Sequence, residues 1–507
     1  MKAIVILMDS LNRRFLSTYG NEWVKTPNIE RIAEKSTVFD NHWTGSAPCM
    51  PARRDMLTGR LNFLERNWGP IEPFDCTLPE VLRKRGIRSH IVTDHYLYFI
   101  TGGENYCQSF DTWENFRGQE VDPWVSRFDN EDINVPEYYG KYEVQYYLNR
   151  SGYKSDGDFS TPKTFQQAAQ WLERNKNADN YLLWVEAYDP HEPFDVTEEF
   201  LDLYGDDYKG KEYFWPEYGV VNVPLDALQH IRKRYAALVS MTDKWLGKML
   251  DVMDKNDIWQ DTMVIFTTDH GYMLGEHNFM AKNFMPAYNE VFHLPMMIHM
   301  PGQTKPGQRI NGLTQNIDLF PTILDYFGID QKSCGNPIRG KSLLALSKNE
   351  VEKVRDYALY GYFGKSINIT DGKYTYFRAA KNRDNSPLYI YASMLSTLRH
   401  YYGNSNVRDI SKIECGKLLK WTDFPVYRIP AQNLINGEKT QDFNDTRIYN
   451  KFIEDNMLFD IQSDYEQKML ITDEKLEKHM TELLCMALKE HDAPDEQFVR
   501  MGLDLFL

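Results

Sequence analysis

The sequence predicts an α/β fold: a large doubly wound mixed sheet flanked by helices, followed by a smaller C-terminal antiparallel sheet with a helix. Three observations predict it. Short apolar runs each end in a polar residue, amphipathic helical stretches separate them, and after about residue 355 the pattern changes to alternation around a turn.

The first run, KAIVILM at 2–8, ends in Asp9. It is too short for a signal peptide and no small-residue cleavage site follows, so it reads as a buried strand. SHIVT at 89–93 runs into Asp94 and His95, YLLWVEAY at 181–188 into Asp189-Pro190-His191, and TMVIFTT at 262–268 into Asp269-His270-Gly271. Helical patterns occupy 163–175 and 225–255. In open α/β sheets, sites form outside the carboxyl ends of the strands. Strand-end Asp and His are singly common as turn residues and caps, but Asp9, His95, His191, Asp269 and His270 are expected to share one sheet edge. Further on, residues 357–380 alternate around Thr370-Asp371-Gly372-Lys373, a β-like piece follows at 457–461, and a helix is expected near 473–489. The boundary falls at 1–355 and 356–507, with no linker or repeat, so the two parts should pack closely.

At 507 residues the chain exceeds one simple core. With 42% apolar and 26% charged residues it resembles a soluble globular protein. A net charge of −15 without a basic block argues against nucleic acid as a partner, and no run is long enough to span a membrane. An anionic substrate then needs a local positive pocket or a cation. The six cysteines, at 49, 76, 107, 334, 415 and 485, lack paired spacing; no disulfide framework is expected, which fits a reducing, cytoplasmic location.

One stretch carries sharper chemistry. In APCMPARRDMLTG, residues 47–59, Cys49 lies between two prolines and ahead of Arg53 and Arg54. A helix beginning at Pro51 would aim its free N–H groups at the sulfur, which suits a thiolate nucleophile or a metal ligand. Cys49-Met50-Pro51-Ala52-Arg53 with Met56-Leu57-Thr58-Gly59 also resembles the C-x-P-x-R…LTG signature of the sulfatase family, within the alkaline-phosphatase-like superfamily. The resemblance extends through TPNIERIA at 26–33, DPHEPF at 189–194, residues 267–284, NIDLFPTILDYFGI at 316–329, RGKSL at 339–343 and LFDIQSDYEQ at 458–467.

The resemblance implies a sulfuric-ester hydrolase whose Cys49 is oxidised to Cα-formylglycine by a maturation enzyme. The hydrated aldehyde attacks the ester sulfur with one hydroxyl; after the alcohol leaves, the other loses its proton and the adduct collapses, expelling sulfate. It further implies a divalent metal held by Asp9, Asp269, His270 and the residue at Cys49. Calcium is the family's habit; Ser10, where many relatives have a second Asp, and the imidazole of His270 admit magnesium or manganese. Arg53 would orient the formylglycine, Lys282 contact sulfate and leaving oxygen, and His191 act as general acid. Asn67 would touch substrate and His277 brace the loop after the metal ligands. One departure stands out. Where many sulfatases carry a lysine and histidine in "GKWH", this chain has Thr93-Asp94-His95-Tyr96-Leu97, so His95 replaces the lysine and Leu97 the later histidine. That moves the site toward an alternative, a phosphonate monoester or phosphodiester hydrolase with the same machinery. A non-catalytic glycan-binding protein would show damaged ligands. The expected substrate is a sulfated small molecule or carbohydrate; 122–160 and 195–224 look like inserted loops near the site, and the 32 Tyr and 11 Trp are suited to stacking or packing alike. Oligomeric state is not encoded in any pattern.

Overall fold

In the computed structural model, residues 1–128, 137–283, 285–382, 385–396, 410–431, 453 and 455–507 are described. The main sheet runs in the order Arg309–Ile310, Thr37–Trp43, His293–His299, Thr262–Thr267, Lys2–Met8, Tyr181–Ala187, Arg88–Thr93, Thr112–Asn115, with Thr314–Gln315 also on Thr37–Trp43. Lys2–Met8 is central and parallel to both neighbours, pairing Ile4 with Leu183 and with Val264. His293–His299 is antiparallel to both of its neighbours, so the sheet is mixed. Side chains alternate across a strand. Ile4, Ile6 and Met8 therefore enter one core, with the helices Ser160–Asn175 and Leu225–Lys255, while Ala3, Val5 and Leu7 enter another, with Cys49–Thr58, Leu78–Arg83 and Leu319–Tyr326. Burial on both faces explains the unbroken apolar runs. Later strands lie on both sides of Lys2–Met8, so Asp9 sits at the carboxyl end of the central strand.

The C-terminal sheet runs Met457–Asp460, Tyr374–Arg378, Ile367–Thr370, Ala358–Tyr362, and then continues into Ser46–Ala47 of the N-terminal part. That last pairing is parallel, Gly361 with Ser46 and Tyr362 with Ala47. At the expected turn, Asp371 Oδ1 accepts from the amides of Lys373 at 2.9 Å and Tyr374 at 2.7 Å. The helix Glu474–Glu490 covers this sheet, contributing Met480, Leu484 and Leu488 to its core. A further small sheet, Tyr389–Ala392, Val426–Pro430 and Glu414–Gly416, was not foreseen by the alternation pattern.

The cysteine reading needs a correction. Cys76 and Cys334, 258 residues apart in sequence, form a disulfide. Pairs so distant leave no local spacing to read, and cysteine usage no longer supports a reducing compartment. Among the described residues no helix is long and apolar enough to cross a membrane. The inserted loops lean on each other: the amides of Tyr139 and Lys141 donate to the carbonyls of Glu212 and Trp215, both at 2.8 Å. Residues 129–136 of the first insertion lie outside the described residues.

Candidate active site

The strand ends deliver the first groups. Asp9 follows Lys2–Met8, its amide bonded to the Ala187 carbonyl at 2.9 Å, and Asp269 and His270 follow Thr262–Thr267. Cys49 arrives from the other direction, out of Ser46–Ala47 and through Pro48. The helix starts at Cys49 itself, two residues before the expected Pro51, and ends at Thr58 with Gly59 as its left-handed cap. Asp55 on this helix pins the approach: its carboxylate accepts from Ser46 N at 2.7 Å, Ser46 Oγ at 2.9 Å and Asn62 N at 2.7 Å.

Asp9, Cys49, Asp269 and His270 are all buried, and one potential ligand atom of each lies within 4.8 Å of the others. Cys49 Sγ is 3.2 Å from His270 Nε2 and 3.9 Å from Asp9 Oδ1. His270 Nδ1 lies 2.8 Å from the Gly271 carbonyl, which makes Nδ1 the protonated nitrogen and leaves the Nε2 lone pair facing Cys49. Arg53 does not bond to Cys49. Its Nε donates to Glu186 at 3.0 Å, its Nη2 to Asp9 at 2.8 Å and its Nη1 to Asp269. Three buried carboxylates thus share one guanidinium fork. Tyr98 OH also donates to Glu186, at 2.9 Å.

Lys282 Nζ donates to Ser10 Oγ at 2.8 Å, and that hydroxyl donates to Asp9 Oδ1 at 2.7 Å, so the lysine reaches the cluster through Ser10. On its other side Lys282 is 3.8 Å from Glu192 Oε2. His191 donates from Nδ1 to the Glu192 carbonyl at 2.6 Å, and its Nε2 lies 3.4 Å from Tyr188 OH. His95 is fully buried between Tyr98 and Tyr188, with Nε2 4.0 Å from Asp9 Oδ2 and, among the described residues, no hydrogen bond on either ring nitrogen. The Asn67 backbone carbonyl accepts from Asn62 Nδ2 at 2.8 Å. His277 stacks on Tyr288 with centroids 3.7 Å apart.

The charges follow from this packing. Burial alone would raise the Asp9 carboxyl, yet Arg53, His191 and Lys282 hold it well below the usual carboxylate range. Burial, and then Arg53, pushes His95 well below the ordinary imidazole value, and burial likewise lowers His270. The Cys49 thiol is pushed well up by burial and by Asp9, so the unmodified sulfur is no ready thiolate. Burial opposes the charge on Lys282, but Cys49, Glu192 and Asp9 raise its ammonium above its usual value.

Sequence reasoning missed Glu186 and Glu192. Glu186 is the one carboxylate inside an otherwise apolar strand run, a signal in plain view; Glu192 is the residue directly after His191.

The family model described as Sulfatase matches residues 2–329, and one described as N-sulphoglucosamine sulphohydrolase, C-terminal, matches 275–421. Choline-sulfatase of Rhizobium meliloti is 25% identical over 421 residues, 74% of this chain and 78% of its own. N-acetylglucosamine-6-O-sulfatase of Bacteroides thetaiotaomicron is 24% identical over 430 residues, covering 71% and 73%. Among solved structures, the phosphonate monoester hydrolase of Agrobacterium radiobacter superposes with a TM-score of 0.69 at 17% identity, covering 97% and 96% of the two chains. A protein in complex with its substrate D-glucosamine-2-N,6-O-disulfate gives 0.64 at 18% identity, covering 98% and 99%. At those identities the superpositions speak for the fold. The Sulfatase match runs from the first strand past both acidic strand ends and Lys282, and on it the chain belongs to the sulfatase family, hydrolases of sulfuric esters with the alkaline-phosphatase-like fold.

Proposed function

We propose that the protein hydrolyses a sulfate ester of a carbohydrate to the alcohol and inorganic sulfate, with Cys49 converted to formylglycine as the nucleophile. The observation that carries this reading is the buried meeting of Asp9, Cys49, Asp269 and His270 at the head of the helix Cys49–Thr58. Cys49 Sγ stands in for a hydroxyl of the hydrated aldehyde. The donor set fits a divalent cation, because two carboxylates converge and His270 keeps its Nε2 lone pair toward residue 49. Calcium is the family's choice, and the imidazole also suits magnesium or manganese. When bound, the cation neutralises ester oxygens and lowers the pKa of the nucleophile.

The chain's own residues supply the rest. Arg53 keeps Asp9, Asp269 and Glu186 close despite their like charge. Lys282 brings a fixed positive charge toward the sulfate and the leaving oxygen. His191, anchored at Nδ1 by the Glu192 carbonyl at 2.6 Å, uses Nε2 to protonate the departing alcohol. His95 offers an ester oxygen a buried ring nitrogen with no other partner. Residues 1–355 form the catalytic part and 356–507 a smaller companion. A second reading, phosphonate monoester or phosphodiester hydrolysis, is favoured by His95, whose burial as a neutral ring removes a cation from the anion site. Matured enzyme on p-nitrophenyl sulfate against a phenyl phosphonate ester separates the two. Mass spectrometry of the peptide carrying residue 49, alongside activity per molecule across partly matured batches, tests the nucleophile; activity that failed to track the formylglycine fraction would sink it.

A further inference from the structure

Outward from His191 lies a carboxylate, Glu120, that the reaction above leaves unused. Glu120, His191 and Glu192 each bring a potential ligand atom within 4.8 Å of the other two. Glu192 is fully buried; its Oε1 takes the Tyr218 hydroxyl and its Oε2 carries no hydrogen bond from the described residues. Glu120 is only half-buried. Its Oε2 accepts from Tyr188 OH at 2.6 Å and from Tyr96 OH at 3.3 Å, while its Oε1 takes no hydrogen bond from the described residues. Tyr188 OH is also 3.4 Å from His191 Nε2, so Glu120 stands immediately beyond the atom that meets the leaving oxygen. The inner carboxylate, Glu192, already faces the His191 ring at 3.3 Å and the Lys282 ammonium at 3.8 Å. The outer one shares that His191 within 4.8 Å but pairs with no lysine or arginine among the described residues. Its place, a carboxylate held by two phenol hydroxyls with one oxygen open, is that of an acceptor waiting for donors.

We infer that Glu120 reads the leaving alcohol, accepting hydrogen bonds from hydroxyl or ammonium groups carried near the sulfated carbon. This rests on the hydrolase reading above and adds its selectivity. A bound ester excludes water from the mouth, so an alcohol without donors leaves the Glu120 carboxylate unpaired, whereas a sugar satisfies it. A second sulfate or a carboxylate at the same place would be repelled.

The test uses matured wild type, Glu120→Gln and Glu120→Asp on p-nitrophenyl sulfate, glucose 6-sulfate and glucosamine 6-sulfate. Replacing the charged acceptor should lower the ratio of kcat/KM for a sugar ester over p-nitrophenyl sulfate roughly ten- to hundredfold, with the Asp variant in between. Loss on both sugars assigns the donors as hydroxyls, and loss confined to glucosamine assigns the ammonium; each supports the inference. Titration calorimetry of glucosamine and glucose should show the same weakening, and it reads Glu120 even if no sulfate ester is turned over, an outcome that counts only against the hydrolase reading. Ratios and affinities unchanged within threefold, or equal losses on all three esters, would overturn the assignment.

Discussion

Arg53→Lys is the sharpest perturbation of this site, because it keeps the charge and removes the fork. In the native arrangement three separate nitrogens serve three buried carboxylates: Nε serves Glu186 at 3.0 Å, Nη2 serves Asp9 at 2.8 Å, and Nη1 serves Asp269. A lysine ammonium is a single point and can hold one of them well. Two charge-assisted bonds are then lost, at about 1.5–3 kcal/mol each, so the variant should be less stable by about 3–6 kcal/mol. The assay is urea unfolding of both proteins made without maturation, so that residue 49 is cysteine in each, with a chelator present. Adding a divalent cation should shrink the difference, since a charge bound between Asp9 and Asp269 replaces part of what the guanidinium supplied. A loss below about 1 kcal/mol would refute the claim that one fork balances three buried carboxylates.

Three other outcomes are expected. Asp269→Ala should abolish turnover and the bound divalent ion while the protein still folds; metal analysis showing wild-type content would remove Asp269 from the ligand set. His191→Ala should slow esters of sugar alcohols far more than p-nitrophenyl sulfate, whose leaving group needs little proton assistance; equal losses would make His191 a binding residue. Glu290→Gln concerns stability against pH. Burial, and then Glu276, raises the Glu290 carboxyl to about 8, with Arg14 at 3.8 Å offsetting only part of it. The folded state therefore keeps a proton that the unfolded chain releases near the ordinary 4.5, so stability falls as pH rises from there to about 8, by up to about 1.4 kcal/mol per unit. The Gln variant should lose this slope and gain on wild type between pH 5 and 8 in thermal unfolding; parallel curves would show that Glu290 ionises freely in the folded protein.

What was legible in the sequence was whatever ends an apolar run. Asp9, His95, Asp269 and His270 stand out because a strand buried on both faces tolerates polar groups only where it stops. The same burial hid Glu186: with no alternation along Tyr181–Ala187, nothing in the pattern says which face that carboxylate takes, or that Arg53 waits there. The helix after Cys49 was legible from its prolines and arginines, but the strand before it, Ser46–Ala47, is two residues long and carries no period to read. Glu120 sits in a loop, where residue type is a weak guide to position. The Cys76–Cys334 link and the contact between the two insertions join segments far apart in the chain, and distance in sequence erases both.

The short strand also bears on how the two parts of the chain divide the work. Residue 49 owes its place to neither part by itself. Asp55 and the Phe63 amide hold Ser46 from the N-terminal side, whereas Gly361 and Tyr362 extend the C-terminal sheet onto Ser46 and Ala47. The Gly361 amide donates to the Gly45 carbonyl at 2.9 Å, and the fit there is tight: a Cβ on Gly45 would lie 2.2 Å from Leu61 Cδ2 and 2.7 Å from Asp55 Oδ2. Asp9 and Asp269, by contrast, are placed by the large sheet. The donor cluster is therefore assembled across a seam, its carboxylates and imidazole from one sheet and its nucleophile from the edge of another. A boundary drawn at residue 355 marks a change of pattern in the sequence; the nucleophile itself hangs from the sheet on the far side of that line.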